Sequence, residues 1–326
     1  MALTTVKQLL DHAKKHKYGV GAYNVNNMEN IQAIMKAASE TRSPVIIQAS
    51  RGALKYTNFT YLKHLMYAAV EENPDIPVAL HLDHGDTLDS VKKAIAIGFT
   101  SVMIDASHHS FEENVRITKE VVEYAHARGV SVEAELGTLG GIEEDITGVV
   151  KLTDPDQAVK FVEETGVDCL AIAIGTSHGA YKFKSEPKLA IDLVKKISDR
   201  VGIPLVMHGS SSVPQELVKK INHYGGKMPA ACGVPVPAIV EAISQGVSKI
   251  NVDSDSRMAV TASIREVFTE TPSEFDPRKY LGPGRDAMCE LLKTKMIAFG
   301  TAGHADDEEF KKIITLDEMK EVYAKK

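Results

Sequence analysis

Eight short apolar runs, each followed by a stretch with helical spacing, constrain this 326-residue chain more than any other feature. The runs are 19–25, 44–49, 77–82, 101–105, 130–135, 168–174, 203–207 and 247–252, most of them rich in Val, Ile and Ala. Runs of this length and composition read as buried parallel strands. Helical patterns fall between them, for example at 29–41, 61–72, 111–127, 154–165 and 187–200. An opening amphipathic helix over 4–17 precedes the first run. Eight βα units in one chain predict a (β/α)₈ barrel, the TIM barrel of the α/β class. A doubly wound open sheet is the alternative, but no GxGxxG turn follows the first strand. The barrel with its inserted loops is expected over residues 1–300, and a C-terminal helical extension packed on it over 301–326.

Three segments interrupt the repeat. Residues 137–150 are Gly-rich and acidic and read as a mobile loop after strand five. Residues 223–237 form a second loop, between helices after strand seven. Residues 271–285 read as a third loop, followed by helices at 286–299 and 306–324.

Composition excludes some functions. A net charge of −6 leaves no basic footprint for nucleic acid. No apolar run approaches the ~18 residues that span a bilayer, so no membrane association is expected. Residues 1–17 lack the apolar stretch of a secretory signal. Cys169, Cys232 and Cys289 are scattered and odd in number, which points to free thiols in a reducing compartment.

Chemistry in a parallel barrel is done where strands end. Strand three ends in Leu82-Asp83-His84-Gly85, strand six runs into Ser177-His178-Gly179, and strand seven ends in His208-Gly209. A catalytic zinc keeps three protein ligands and one open position. His84, His178 and His208 meet that count from three strand ends. His81 is not expected to join His84, since three residues along a strand turn the side chain to the opposite face. His108 and His109 follow strand four and read as loop or supporting groups. Glu133 and Glu135 end strand five and stand as supporting carboxylates or an alternative metal position.

Phosphate binding is expected at the loops after strands seven and eight. These read Gly209-Ser210-Ser211-Ser212 and Asn251-Val252-Asp253-Ser254-Asp255-Ser256-Arg257, small and hydroxylated residues suited to an anion nest. Gly179 and Lys182 add donors after His178. Alternation along strand eight puts Lys249, Asn251 and Asp253 on one face. Lys249 is either an inward amine nucleophile or, the favoured reading, the partner of a buried carboxylate. Asp83, beside His84, suits proton exchange with a substrate hydroxyl. Glu143 and Glu144 lie on the loop after strand five and would arrive with substrate.

Together these motifs resemble the class II, metal-dependent fructose-bisphosphate aldolases. Ala22-Tyr23-Asn24-Val25, Glu135-Leu136-Gly137 with the Gly-Gly-acidic loop, and Gly175-Thr176-Ser177-His178-Gly179 complete the likeness, which runs to about residue 300. The acidic loop carries an additional Ile142, so Glu143 and Glu144 compete for one role; Glu144 is chosen. The resemblance implies Zn²⁺ on His84, His178 and His208, gripping the ketose C2 carbonyl and C3 hydroxyl as a Lewis acid. It makes Asp83 the base at the C4 hydroxyl, Asn251 the residue holding the enediolate, and Glu144 the group that protonates it. Gly179, Lys182, Gly209, Ser211, Asp253, Ser254 and Arg257 would bind the phosphorylated ketose, with Asn24 and Ser50 lining the same mouth. Arg278 would read the distal phosphate, in a neighbouring subunit. The resemblance further implies a cytoplasmic location, a homodimer or homotetramer, and a monovalent cation, Na⁺ or K⁺. The rival readings are a tagatose-bisphosphate aldolase, a barrel amidohydrolase, for which the expected HxH pair is missing, and a non-catalytic binding protein, for which the catalytic set would have decayed.

Overall fold

The computed structural model describes residues 3–143, 146–148, 150–179, 187–229 and 232–325. Its barrel strands are β1 (Val20–Asn24), β2 (Val45–Ser50), β3 (Val78–Gly85), β4 (Ser101–Ile104), β5 (Ser131–Leu136), β6 (Cys169–Ile172), β7 (Leu205–Met207) and β8 (Val247–Val252). Each pairs in parallel with the next, and β8 closes on β1 through Lys249 opposite Val20 and Asn251 opposite Ala22. All eight predicted strands are present, and they close into the predicted (β/α)₈ barrel.

Period-two alternation explains the composition of every strand. Outward positions such as Tyr23, Ile47, Leu80, Val102, Val132, Leu170 and Ile250 pack under the helices in one continuous apolar layer. Inward positions divide by depth. At the N-terminal end Val20, Ala22, Ile46, Ala79, Ala171 and Val206 meet Val6, Leu9, Leu10 and Ala13 of helix Val6–His16. That helix, capped by Thr5 accepting from the Gln8 N–H, floors the barrel. Above this plug the interior turns polar: Gln48, His81, Glu133 and Lys249 are all fully buried. Branched aliphatics usually fill this level of a barrel. Burying ions costs several kcal/mol each unless they are paired, so the middle layer marks the route to a site.

Three sequence expectations are corrected. Residues 137–150 are not merely a loop: Gly141–Glu143 and Ile146–Gly148 pair as an antiparallel hairpin. The third loop is shorter than expected, because a helix starts at Pro277 and runs to Ala298; Pro at the first helical position tolerates its missing N–H, and Asp276 caps the turn. The C-terminal stretch is broken into 3₁₀ turns His304–Asp306 and Glu308–Lys312 and a helix Leu316–Ala324. In that last helix Met319 and Tyr323 are buried, and the Tyr323 hydroxyl donates to Asp168 at 3.0 Å.

Candidate active site

The C-terminal mouth of the barrel holds a cleft of about 710 Å³. Its lining includes Asn24, Ser50, Asp83, His178, Gly179, His208, Gly209, Ser211, Asn251, Asp253, Ser254 and Arg257, most of the residues expected from the sequence. Glu144 and Lys182 lie outside the described residues, as does the Glu143 side chain.

Two adjacent residues of a regular strand point to opposite faces. Asp83 and His84 escape this rule because His84 has φ +75° and the β3–β4 register shifts between Leu82 and Gly85. A bulge of this kind re-aims a side chain. It turns His84 back over the barrel beside Asp83, at a cost of about 1–3 kcal/mol of backbone strain. His81 stays on the inward face one layer below Asp83. It is thus excluded from the His84 group by depth, and the expectation that it faces the other way is corrected.

His84 Nε2 and His208 Nδ1 lie 3.0 Å apart. One ring nitrogen from each of His84, His178 and His208 falls within 4.8 Å of the others. Gly209 allows this approach: at φ +61°, a Cβ there would sit 2.6 Å from the Ser177 carbonyl oxygen, so only glycine lets the β7 end pack against the His178 loop. Carboxylates fix two of the rings. His208 Nε2 donates to Glu133 Oε1 at 2.7 Å, and His84 Nδ1 donates to Asp105 Oδ2 at 3.2 Å. An ionised carboxylate only accepts, so each ring must place its lone pair on the other nitrogen, toward the shared centre. The donor set therefore fits a divalent ion of the imidazole-preferring class.

Below the rings, Glu133 Oε2 receives Lys249 Nζ at 2.8 Å and His81 Nε2 at 3.3 Å. Burial alone would push the Glu133 carboxyl up, but Lys249 and the two histidines hold it well below the usual carboxylate range. Burial, aided by Lys249, lowers His81 below the ordinary imidazole range. Lys249 is therefore the partner of a buried carboxylate. Asp105 behaves like Glu133: burial would raise it, and the His84 and Ser107 hydrogen bonds hold it low. Glu135 is buried with a carboxylate oxygen near His84 and Asp105, a supporting position.

Asp83 is 2% exposed and held from three sides. Asn24 Nδ2 donates to its Oδ2 at 2.9 Å, Gln48 Nε2 donates to the same oxygen at 3.2 Å, and Asn251 Nδ2 donates to Oδ1 at 3.2 Å. The carboxylate is locked with Oδ1 at 3.8 Å from His84 Nε2.

The cleft rim is cationic and rich in backbone N–H groups. Helix Ser254–Glu270 points its N-terminus at the mouth, where its free N–H groups suit an anion. Arg257 pairs with Asp253 at 2.6 Å. Buried Asp255 accepts from the Ser212 and Val213 N–H groups at 2.8 Å each and pairs with Lys295 at 2.6 Å, fixing the loop after β7 although Val213 sits at φ +48°.

Sequence reasoning placed Asp255 only within an anion nest, and it missed Asp105, Gln48, Lys227 and Arg265. The last two line the cleft, and Arg257, Thr261 and Arg265 share one helix face at i, i+4, i+8 spacing, a signal that was there to be found. Arg278 is not in the cleft: it stands on the surface, 86% exposed, paired with Asp276. His108 and His109 are exposed and are not among the residues that line it.

The profile of the family described as "Fructose-bisphosphate aldolase class-II" matches residues 4–304. The chain belongs to the class-II fructose-bisphosphate aldolase family. As a member of that family it is an aldolase, a lyase, and aldolases of class II use a divalent metal. A fructose-bisphosphate aldolase of Giardia intestinalis is 68% identical over 325 residues, covering 99% of this chain and all of that one. The fructose-bisphosphate aldolase of Pseudomonas aeruginosa is 48% identical, over all of this chain and 98% of its own length. Among solved structures, the YdjI aldolase of Escherichia coli K12 superposes with a TM-score of 0.78 at 34% identity, covering 93% of this chain and 100% of that one. Among the described residues, no helix is long and apolar enough to cross a membrane.

Proposed function

We propose that this cleft cleaves fructose 1,6-bisphosphate reversibly to dihydroxyacetone phosphate and glyceraldehyde 3-phosphate. The observation that carries the reading is the meeting of three imidazoles, two of them oriented by carboxylates, and a locked Asp83 beneath an anion-binding rim. The names of the relatives favour fructose over tagatose bisphosphate. His84, His178 and His208 would hold Zn²⁺, and bound there it supplies Lewis-acid polarisation of the substrate carbonyl.

The protein's own groups do the rest. Gly179, Gly209, Ser211, Asp253, Ser254 and Arg257 seat a phosphate and orient the ketose, with Lys182 as a further donor from outside the described residues. Asp83 removes the C4 hydroxyl proton. The O–H electron pair forms the aldehyde C=O as the C3–C4 bond breaks, and the C3–C4 pair passes to C3 to give the enediolate. Asn251, held between Asp83 and His208, hydrogen bonds that enediolate. Glu144 then protonates C3 to release dihydroxyacetone phosphate. The described residues just before it in the chain are anchored near His178, since Gly140 bridges to Ser177 and its carbonyl accepts the His178 N–H at 2.9 Å. Lys249 forms no Schiff base, because its ammonium is held by Glu133.

Outside the cleft, Arg278 would reach the distal phosphate of a neighbouring subunit in a homodimer or homotetramer. Phe275, three residues before it and 88% exposed, supports a subunit contact there. A monovalent cation, Na⁺ or K⁺, would accompany the bound phosphate. Three free cysteines support a reducing, cytoplasmic setting. The test is a coupled cleavage assay on fructose and tagatose bisphosphates with and without EDTA. Fructose bisphosphate is cleaved faster, EDTA abolishes the activity, Zn²⁺ restores it, and borohydride traps no substrate on the protein. Activity that survives complete metal removal, or borohydride trapping, would sink the reading.

A further inference from the structure

At the opposite pole of the barrel, helix Val6–His16 meets the turns His304–Asp306 and Glu308–Lys312. His12 and His16 stand at i and i+4, on one helix face, with ring centroids 4.2 Å apart. His12 is 6% exposed. Its Nδ1 lies 2.8 Å from the Tyr18 hydroxyl, which can accept a hydrogen bond from it. Its Nε2 is buried with no hydrogen-bond partner and is aimed between two carboxylates, Asp307 Oδ2 at 3.4 Å and Glu309 Oε2 at 3.8 Å. His16 Nε2 lies 3.2 Å from Glu309 Oε1, and His304 Nδ1 lies 2.6 Å from Asp307 Oδ2. Ligand atoms of His12, His16 and Glu309 all fall within 4.8 Å of one another, and so do those of His12, His304 and Asp307.

We propose that His12, His16, Glu309 and Asp307 form a second divalent-metal site, remote from the catalytic cleft. Two imidazoles and two carboxylates select a borderline ion such as Zn²⁺, Co²⁺ or Ni²⁺ over Mg²⁺. Burial and the neighbouring His16 lower His12 below the ordinary imidazole range, toward the neutral form that ligates. His304 donates to Asp307 and orients it as a ligand. Lys15 Nζ occupies Glu309 Oε1 at 2.9 Å and is 67% exposed, so a metal displaces it into water at little cost. The bound ion clamps the helix that floors the barrel to the segment that follows the last barrel helix. It stabilises the fold and takes no part in cleavage.

The experiment is equilibrium dialysis of the full chain against Zn²⁺ alone, with metal counted by mass spectrometry. Wild type is compared with His16→Ala and Glu309→Gln, both of which alter partly exposed side chains and leave the plug intact. Each variant is expected to bind one equivalent fewer per chain, to lose the Zn²⁺-dependent part of the rise in Tm, and to cleave fructose bisphosphate at the wild-type rate. Co²⁺ in place of Zn²⁺ should give a d–d band that weakens in both variants. Equal stoichiometry in all three proteins would overturn the proposal and leave the cluster as a set of ion pairs.

Discussion

Replacing Glu133 by Gln probes the joint between fold and chemistry. The carboxylate serves His208 on one oxygen and Lys249 with His81 on the other, and both Glu133 and Lys249 are fully buried. At 2.8 Å and an effective dielectric of ~20, two unit charges attract by about 6 kcal/mol. Desolvation cancels much of this, so the net value of the pair is small, but stranding one member is expensive, about 3–5 kcal/mol. Glu133→Gln should therefore lose about that much stability in urea unfolding, because the Lys249 ammonium stays buried without its counter-ion. Adding Lys249→Met removes the stranded charge and should return at least about 2 kcal/mol. Metal affinity behaves differently. His208 loses its orienting carboxylate in both variants, so each should bind Zn²⁺ about 10–100-fold more weakly than wild type. If Lys249→Met fails to rescue the stability of Glu133→Gln, or if rescue of stability also restores metal affinity, the assignment of two separate tasks to Glu133 is wrong.

The loop base is tested by solvent-deuterium exchange into dihydroxyacetone phosphate: Glu144→Ala should lose roughly 10²–10⁴-fold in rate with its metal content intact. If Glu143→Ala alone loses exchange, the base is one residue earlier. Arg278→Ala should raise KM for the bisphosphate and leave dihydroxyacetone phosphate exchange unchanged; an unaltered KM rules out the contact across subunits. Burial would raise Asp255, but Lys295 and its backbone donors hold it below the usual carboxylate range, so its contribution to stability is present above the unfolded pKa of about 4 and fades as pH falls through the lower folded value. Asp255→Asn should thus be less stable than wild type at pH 7, with the gap narrowing below about pH 4 in urea titrations; a gap independent of pH refutes the ion-pair account.

The barrel was legible because each strand carries an apolar outward face, and that pattern survives whatever lies inside. The cleft was legible where strand ends bear histidines beside glycine. What escaped is what alternation alone cannot show. His84 reaches the site through a positive φ that breaks the period, so the reason Asp83 and His84 both face inward was hidden. Asp105 and Gln48 act across strands, and register had to be known before Gln48 met Asp83 or the carboxylate partner of Lys249 became Glu133. Residues 271–285 carry Pro272, Pro277 and Pro283, a loop-like composition, although Pro277 starts a helix and Pro283 lies inside it. Arg278 could not be placed from one chain, since it stands exposed on the surface and is not among the residues that line the cleft.

The division of labour between the two ends of the reaction is reached most directly through Asp83→Ala. Its cleavage of fructose bisphosphate and its exchange of solvent deuterium into dihydroxyacetone phosphate should be measured on one preparation with its metal content determined. Asp83 is locked by Asn24, Gln48 and Asn251 beside the histidine centre, and in the proposed mechanism it serves the C4 hydroxyl and not C3. The account predicts that cleavage falls by roughly 10²–10⁴-fold while exchange persists near the wild-type rate. Equal loss of both activities, or retention of both, with metal still bound, would contradict it.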